Sequence, residues 1–248
     1  MMLNIFKKKE NLMLLEKVGV DMHSHLIPGI DDGVKTIEES IESIRILYEL
    51  GYRHIITTPH IMQDFYPNTP GIIRAGLEKV RDAVKEAQIP VTIDAAAEYY
   101  LDFAFFEQFD KENILAINNK FVLIELSFLN PPQILHETIF KIQTSGFTPI
   151  LAHPERYSYW FRDLNVFQDL KDRGVWLQLN INSFADEYGI PTRKLAEKLV
   201  KLNLVDLLGS DFHRVQHRES AIKALNNKSL QRLIDSNQLK NSQLLPQS

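Results

Sequence analysis

The sequence predicts an α/β barrel of parallel strands, and three observations carry that prediction. Seven short runs rich in β-branched residues alternate with segments of helical period. Most runs are almost continuously apolar, as strands buried on both faces must be. Polar residues collect at the C-terminal end of each run, the end at which α/β barrels carry their active sites.

Taken in order, the chain opens with MMLNIFKKKENLMLLEKVGV. Its central charges and the lack of a small-residue cleavage site make this a poor signal peptide. Residues 1–17 are therefore expected to form an N-terminal arm, and 18–248 a single domain in the cytoplasm. The first strand, VGVDMHSH at 18–25, sets His23 and His25 on one face, because strand side chains alternate. Asp31 and Asp32 follow in DDG. A Thr36–x–x–Glu39 capping box opens a helix over 36–50, which Gly51 ends. The second run, 54–60, closes on His60, and a helix over 70–87 leads to the third, 91–100, which carries Glu98. The fourth, FVLIELS at 121–127, carries Glu125, and a helix over 132–145 follows. The fifth, 148–156, contains His153 and Arg156, and a helix over 161–173 leads to the sixth, 175–180, which ends on Asn180. After a helix over 191–202, the seventh run, 204–211, supplies Asp211, with His213 just beyond. A last helix over 215–226 contains Arg218.

Composition narrows the chemistry. The chain has no cysteine, which removes disulfides, thiolate metal sites and cysteine nucleophiles. The net charge is −4 with both signs mixed along the chain, so a nucleic-acid partner is not expected. No apolar run approaches the ~18 residues of a transmembrane segment.

A carboxylate inside an apolar strand needs a cation or hydrogen-bond donors, because burying it alone costs several kcal/mol. Glu98 and Glu125 are such carboxylates. With the histidines and Asp211 they form a set of imidazole and carboxylate ligands, suited to Mn²⁺, Fe²⁺, Zn²⁺ or Mg²⁺. The set is too large for one closed structural ion and fits two or three ions with open positions, a catalytic layout. His54 and His136 are expected to be structural or exposed, while His217 is a weaker ligand candidate. Arg156 and Arg218 lie beside the ligands, where arginine can grip phosphate bidentately, and Arg214 competes for that role.

The series DMHSH, DDG, TTPH, AEYY, LIEL, AHPERY and SDFH resembles the motif series of the polymerase-and-histidinol-phosphatase (PHP) superfamily, from about Val18 to Arg218. HSHLIPGIDDG, AAEYY and AHPERY are most similar to the bacterial metal-dependent protein-tyrosine phosphatases of capsule and exopolysaccharide loci. The resemblance implies a distorted seven-stranded (β/α) barrel with a trinuclear site. His23, His25 and Asp211 would hold one ion. Glu98 would bridge it to a second, bound also by Glu125 and His153, and Asp32, His60 and His213 would hold the third. Manganese is the expected metal, with iron, magnesium or zinc as alternatives. The expected catalytic residues are Glu98, Asp211 and His213, with Arg156 and Arg218 on the phosphate. The implied substrate is the phosphotyrosine tail of a bacterial tyrosine autokinase, hydrolysed by a metal-activated hydroxide. The alternative is a small-molecule phosphatase acting on a compound such as histidinol phosphate. A nuclease or proofreading module, and a barrel that binds metal without catalysis, fit the residues less well.

Overall fold

The structure, a computed structural model, describes residues 14–110 and 112–245. The FKKK stretch and the expected arm up to residue 13 lie outside them. Residues Leu14–Val18 form a short helix, α1, and β1 is Val20–Asp21. The chain continues through α2 (Ile37–Leu50), β2 (His54–Thr57), β3 (His60–Ile61), α3 (Pro70–Glu86), β4 (Thr92–Ala95) and β5 (Glu98–Tyr100). Then follow α4 (Phe103–Gln108), β6 (Phe121–Glu125), α5 (Leu135–Thr144), β7 (Thr148–Ala152) and α6 (Asn165–Asp172). The last elements are β8 (Trp176–Asn180), α7 (Ile190–Lys201), β9 (Leu207–Gly209), α8 (His217–Ala224) and α9 (Lys228–Asp235).

All ladders are parallel, as the alternation of strands and helices predicts. They fall into a sheet ordered β1-β2-β4 and a sheet ordered β3-β5-β6-β7-β8-β9. Two of the expected strands are bent in the middle. Thr57 pairs with Ala95 below the bend and His60 with Glu98 above it, so the register carries through Thr58–Pro59 and Ala96–Ala97. Proline cannot donate to a ladder, so Pro59 helps place the break.

Strand alternation divides the core into two clusters. Val122, Ile124, Leu151, Leu177 and Leu179 join the larger one, with the apolar faces of the helices. Val20, Met22, Ile56, Leu123, Ile150 and Leu207 point the other way and form a small inner cluster. Both sheets contribute to it, so both wrap one interior. Among the described residues no continuous ladder closes them into a barrel. Between β9 and β1 there is one isolated bridge, Ser24 to Phe212. Side chains do the rest. Asp21 accepts from the Ser210 N–H and hydroxyl at 2.8 and 2.7 Å. The Asn241 amide donates to the Val20 and Leu208 carbonyls and accepts from the Leu208 N–H. The C-terminal segment, which carries no motif in sequence, therefore spans the seam.

The helix signals hold at α2, where Thr36 accepts from the Glu39 N–H and Gly51 ends the helix at φ 119°. Glu39 reaches back to the Lys35 N–H rather than to that of Thr36. The sequence reading did not single out α4 or α9. The former has six residues, none of them buried, so no apolar period marks it.

Candidate metal centre

The strand ends deliver their polar residues to one place. His23 and His25 lie in the extended segment after β1, with alternation placing both inward. That segment is tied to the chain beyond β9: Asp211 N–H donates to the His23 carbonyl and His25 N–H to that of Phe212. His60 and Glu98 open β3 and β5, Glu125 ends β6, and His153 follows β7. His153 and Asp211 sit at φ 33° and 51°. Left-handed backbone is unfavourable for these residues and is tolerated where the surrounding structure fixes it.

Glu98 is the centre. One of its oxygens lies 3.1 Å from His23 Nε2, 3.3 Å from His25 Nε2 and 3.2 Å from His60 Nδ1. The other lies 3.2 Å from His153 Nε2. Neither oxygen has a hydrogen-bond donor, and Glu98 is fully buried. His60 Nδ1 and His153 Nδ1 are also buried without hydrogen-bond partners. A carboxylate in that position needs a cation.

Among the described residues, four groups of side chains could hold an ion: His23, His25 and Asp211; His25, Asp32, His60 and His213; His23, Glu98 and His153; and His60, Glu98 and Glu125. The first is one expected set, and the second contains another. The expected trio of Glu98, Glu125 and His153 is divided between the last two groups, although His153 Nε2 is 3.5 Å from Glu125. All nine expected ligands are brought together.

Electrostatics point the same way. Burial opposes charge on His23, but Glu98 and Asp211 outweigh it and lift the imidazole to about 9. Burial likewise opposes charge on His25, and Asp31 raises it well above its usual range. Burial, with Glu98 beside it, pushes Glu125 far up. His153 is pushed down to about 4 by burial and by Arg156, so it is neutral at physiological pH. A site that pulls protons onto imidazoles against the cost of burial has an excess of negative charge for divalent ions to neutralise.

The surrounding side chains fix the ligands. Asp31, the first aspartate of DDG, holds His25: its Oδ2 accepts from His25 Nδ1 at 2.8 Å and from the His60 N–H. Gly33 is required because a Cβ there would lie 2.3 Å from the His25 carbonyl oxygen. On β8 a relay runs across the site. His23 Nδ1 donates to Gln178 at 2.9 Å, Gln178 donates to Asn180 at 2.9 Å, and Asn180 donates to Asp211 Oδ2 at 2.6 Å. Gly209 makes room for it, since a Cβ there would come within 2.7 Å of His23. The carboxylate of Glu155, in AHPER, accepts from the Asn180 N–H and the Ser183 hydroxyl, which anchors the turn that carries Arg156.

Above the ligands lies a cleft of about 960 Å³. Arg156 enters it between two aromatic rings, 4.6 Å from the Phe128 centroid and 4.3 Å from that of Tyr188. Its Nη1 donates to Asp211 Oδ2 at 3.2 Å, which also accepts from the Tyr188 hydroxyl. Arg218 is placed elsewhere. It reaches Glu49 at 3.3 Å on the exposed surface and does not line the cleft, whereas Arg214 does. The register of α8 decides this, and sequence spacing did not show it. His217 lines the cleft at 5.9 Å from the His213 ring and joins no ligand group among the described residues. Of the aromatics near the ligands, Tyr99 and Tyr157 are buried, their hydroxyls on the Leu115 and Leu126 N–H groups. Tyr100 and Phe128 line the cleft, with Tyr66 stacked on His60 at 5.5 Å. Sequence reasoning missed Tyr66, Tyr188 and Gln178 as site residues; it counted Asp31 with the metal-site candidates, and the structure places it behind His25 rather than in a ligand group. Gln178 sits two positions before Asn180 in the sixth run, but nothing in the sequence marks Tyr188.

Parallel sheets with a buried histidine–carboxylate cluster at the strand ends, under an arginine-bearing cleft, define the molecule as an α/β protein with a candidate metal centre. The chain belongs to the capsular polysaccharide synthesis, CpsB/CapC family, whose sequence profile matches residues 19–243. It is similar to tyrosine-protein phosphatase YwqE of Bacillus subtilis (strain 168), 28% identical over 200 residues, 80% of this chain and 79% of that one. It is 29% identical to tyrosine-protein phosphatase CpsB of Streptococcus pneumoniae over 206 residues, 80% of this chain and 84% of that one. Among solved structures it resembles one described as YwqE from Bacillus subtilis and CpsB from Streptococcus pneumoniae, unique metal-dependent tyrosine phosphatases. The TM-score is 0.78 at 26% identity, covering 90% of this chain and 94% of that one. The lactonase Lmo2620 from Listeria monocytogenes shares the fold, with a TM-score of 0.51 at 12% identity, covering 92% of this chain and 91% of that one.

Proposed function

We propose that the protein is a metal-dependent protein-tyrosine phosphatase, on one observation above the others: a buried, donorless Glu98 amid four imidazoles on the floor of a large cleft that holds Arg156. Its family and the relatives above support the same reading. From residue 18 onward the chain is one catalytic domain, and its two sheets are read as parts of a distorted seven-stranded PHP-type barrel. His23, His25, Asp32, His60, Glu98, Glu125, His153, Asp211 and His213 would hold two or three divalent ions, manganese first. Such ions supply Lewis acidity toward the phosphoryl oxygens and the attacking water.

The chain's own residues do the rest. Arg156, fixed between two rings and by Asp211, presents its remaining N–H groups to the phosphate. Arg214 adds charge at the rim, and Arg218 contributes only on leaving Glu49. Tyr66, Tyr100 and Phe128 give the tyrosine ring an apolar wall. The leaving phenolate has an ordinary pKa of about 10, so no strong acid is required of the protein. An open cleft suits a polypeptide, here the phosphotyrosine tail of a membrane-linked tyrosine autokinase of a capsule or exopolysaccharide locus, which this protein would meet in the cytoplasm. The test is phosphate release from matched phosphotyrosine and phosphoserine peptides and from histidinol phosphate, with Mn²⁺ and after chelation. Strong phosphotyrosine preference with Mn²⁺ is expected. A higher kcat/KM for histidinol phosphate would move the assignment to a small-molecule phosphatase.

A further inference from the structure

Beside the main cleft lies a second cavity of about 350 Å³. The two share one wall. Along residues 62–67, Met62 and Tyr66 line the cleft while Gln63 and Pro67 line the second cavity, and Tyr100 lines both. Phe65, in the same segment, is 70% exposed. The partition is this one chain segment, lined by the cleft on one side and by the second cavity on the other.

The lining tells what would fit. Tyr99, Phe105, Phe109 and Ile61 give it apolar walls, and amides such as Gln108 and Asn113 are also on it. No lysine or arginine lines it among the described residues, and its charged members are Asp102 and Asp110. That composition disfavours a phosphate or an acidic side chain and accepts a large neutral one. Nor is the cavity part of the metal centre, because none of the ligands lines it.

We propose that this cavity is a specificity subsite for a bulky apolar or aromatic side chain of the substrate polypeptide, close in sequence to the phosphotyrosine. The proposal rests on the phosphatase reading above. Part-burial of such a side chain should raise kcat/KM about tenfold, chiefly through KM, which corresponds to ~1.4 kcal/mol.

The experiment uses the metal-loaded protein and phosphotyrosine peptides in which each flanking position is in turn alanine, leucine or phenylalanine. A small aryl phosphate, which cannot reach the second cavity, serves as control. One flanking position should show a preference for leucine or phenylalanine over alanine. Ala104→Phe, which fills the cavity from α4, should erase that preference and leave aryl phosphate hydrolysis unchanged. Phe105→Ala, which removes a wall, should weaken it, and Ala104→Phe remains decisive if that variant folds poorly. Flanking residues without effect, or a preference that survives Ala104→Phe, would overturn the subsite. Failure to hydrolyse any phosphotyrosine peptide would instead overturn the phosphatase assignment.

Discussion

Glu98 and Asp31 differ in what they do, although both are buried carboxylates against histidine. Glu98 has no donor on either oxygen, while Asp31 has three partners, His25 Nδ1 and the Gly33 and His60 N–H groups. Glu98→Gln should therefore lose bound metal outright, and turnover with it. Asp31→Asn should keep metal at saturation with affinity lowered by about 10–100-fold, the usual cost of losing a partner behind a ligand. Metal titration by calorimetry separates the two, and equal losses would mean that Asp31 is itself a ligand. The rings around Arg156 make a second case. Tyr188→Phe keeps the stacked face and gives up only a 3.3 Å hydrogen bond, so KM should change little. Tyr188→Leu frees the guanidinium and should raise KM for phosphotyrosine peptide about tenfold, given ~0.5–2 kcal/mol for a cation–π contact. Metal content should be the same in both variants; a loss of metal in the leucine variant would show that the ring supports Asp211 instead.

Strand β8 contributes no ligand yet lies behind two. Gln178 fixes the His23 tautomer so that Nε2 faces Glu98, and Asn180 holds Asp211. Gln178→Leu keeps the size and removes both hydrogen bonds, so Mn²⁺ affinity should fall about 10–100-fold with folding preserved. An unchanged affinity would mean that packing alone orients His23. At the seam, Asn241 joins β1 and β9 through three hydrogen bonds. Asn241→Ala leaves buried backbone groups unpaired and should cost about 2–4 kcal/mol, at ~1–3 kcal/mol for a stranded group. Urea unfolding measures it. A cost under about 0.5 kcal/mol, within the range of ordinary surface changes, would assign the seam to Asp21 and Ser210.

For the molecule as a whole, metal and fold are linked. The candidate ligands lie after β1, on β3, β5 and β6, and after β7 and β9, so ions that bind only the folded chain should stabilise all of it. At about 100 times Kd the gain is roughly 2.7 kcal/mol. Chelation should abolish phosphatase activity and lower Tm, and Mn²⁺ should restore both. A Tm indifferent to chelation, in protein verified as metal-loaded beforehand, would contradict a centre that joins the two sheets.

Much of this was legible in the residue order. The alternation of runs announced parallel β/α units because strand and helix periods differ, 2 against 3.6. The candidate ligands stood out because histidine and carboxylate at the ends of apolar runs are costly to bury unless something neutralises them. Helix capping at Thr36 and Gly51 was local chemistry, readable within a few residues. Other features depend on contacts between distant segments, which no local pattern encodes. Tyr188 meets Arg156 only because two loops converge on the cleft, and Arg218 turns to Glu49 because α8 sets its direction. Asn241 closes the seam across 221 positions from Val20. Short-range periodicity and buried charge are written along the chain, whereas which side chain faces which across the site depends on how separate segments pack.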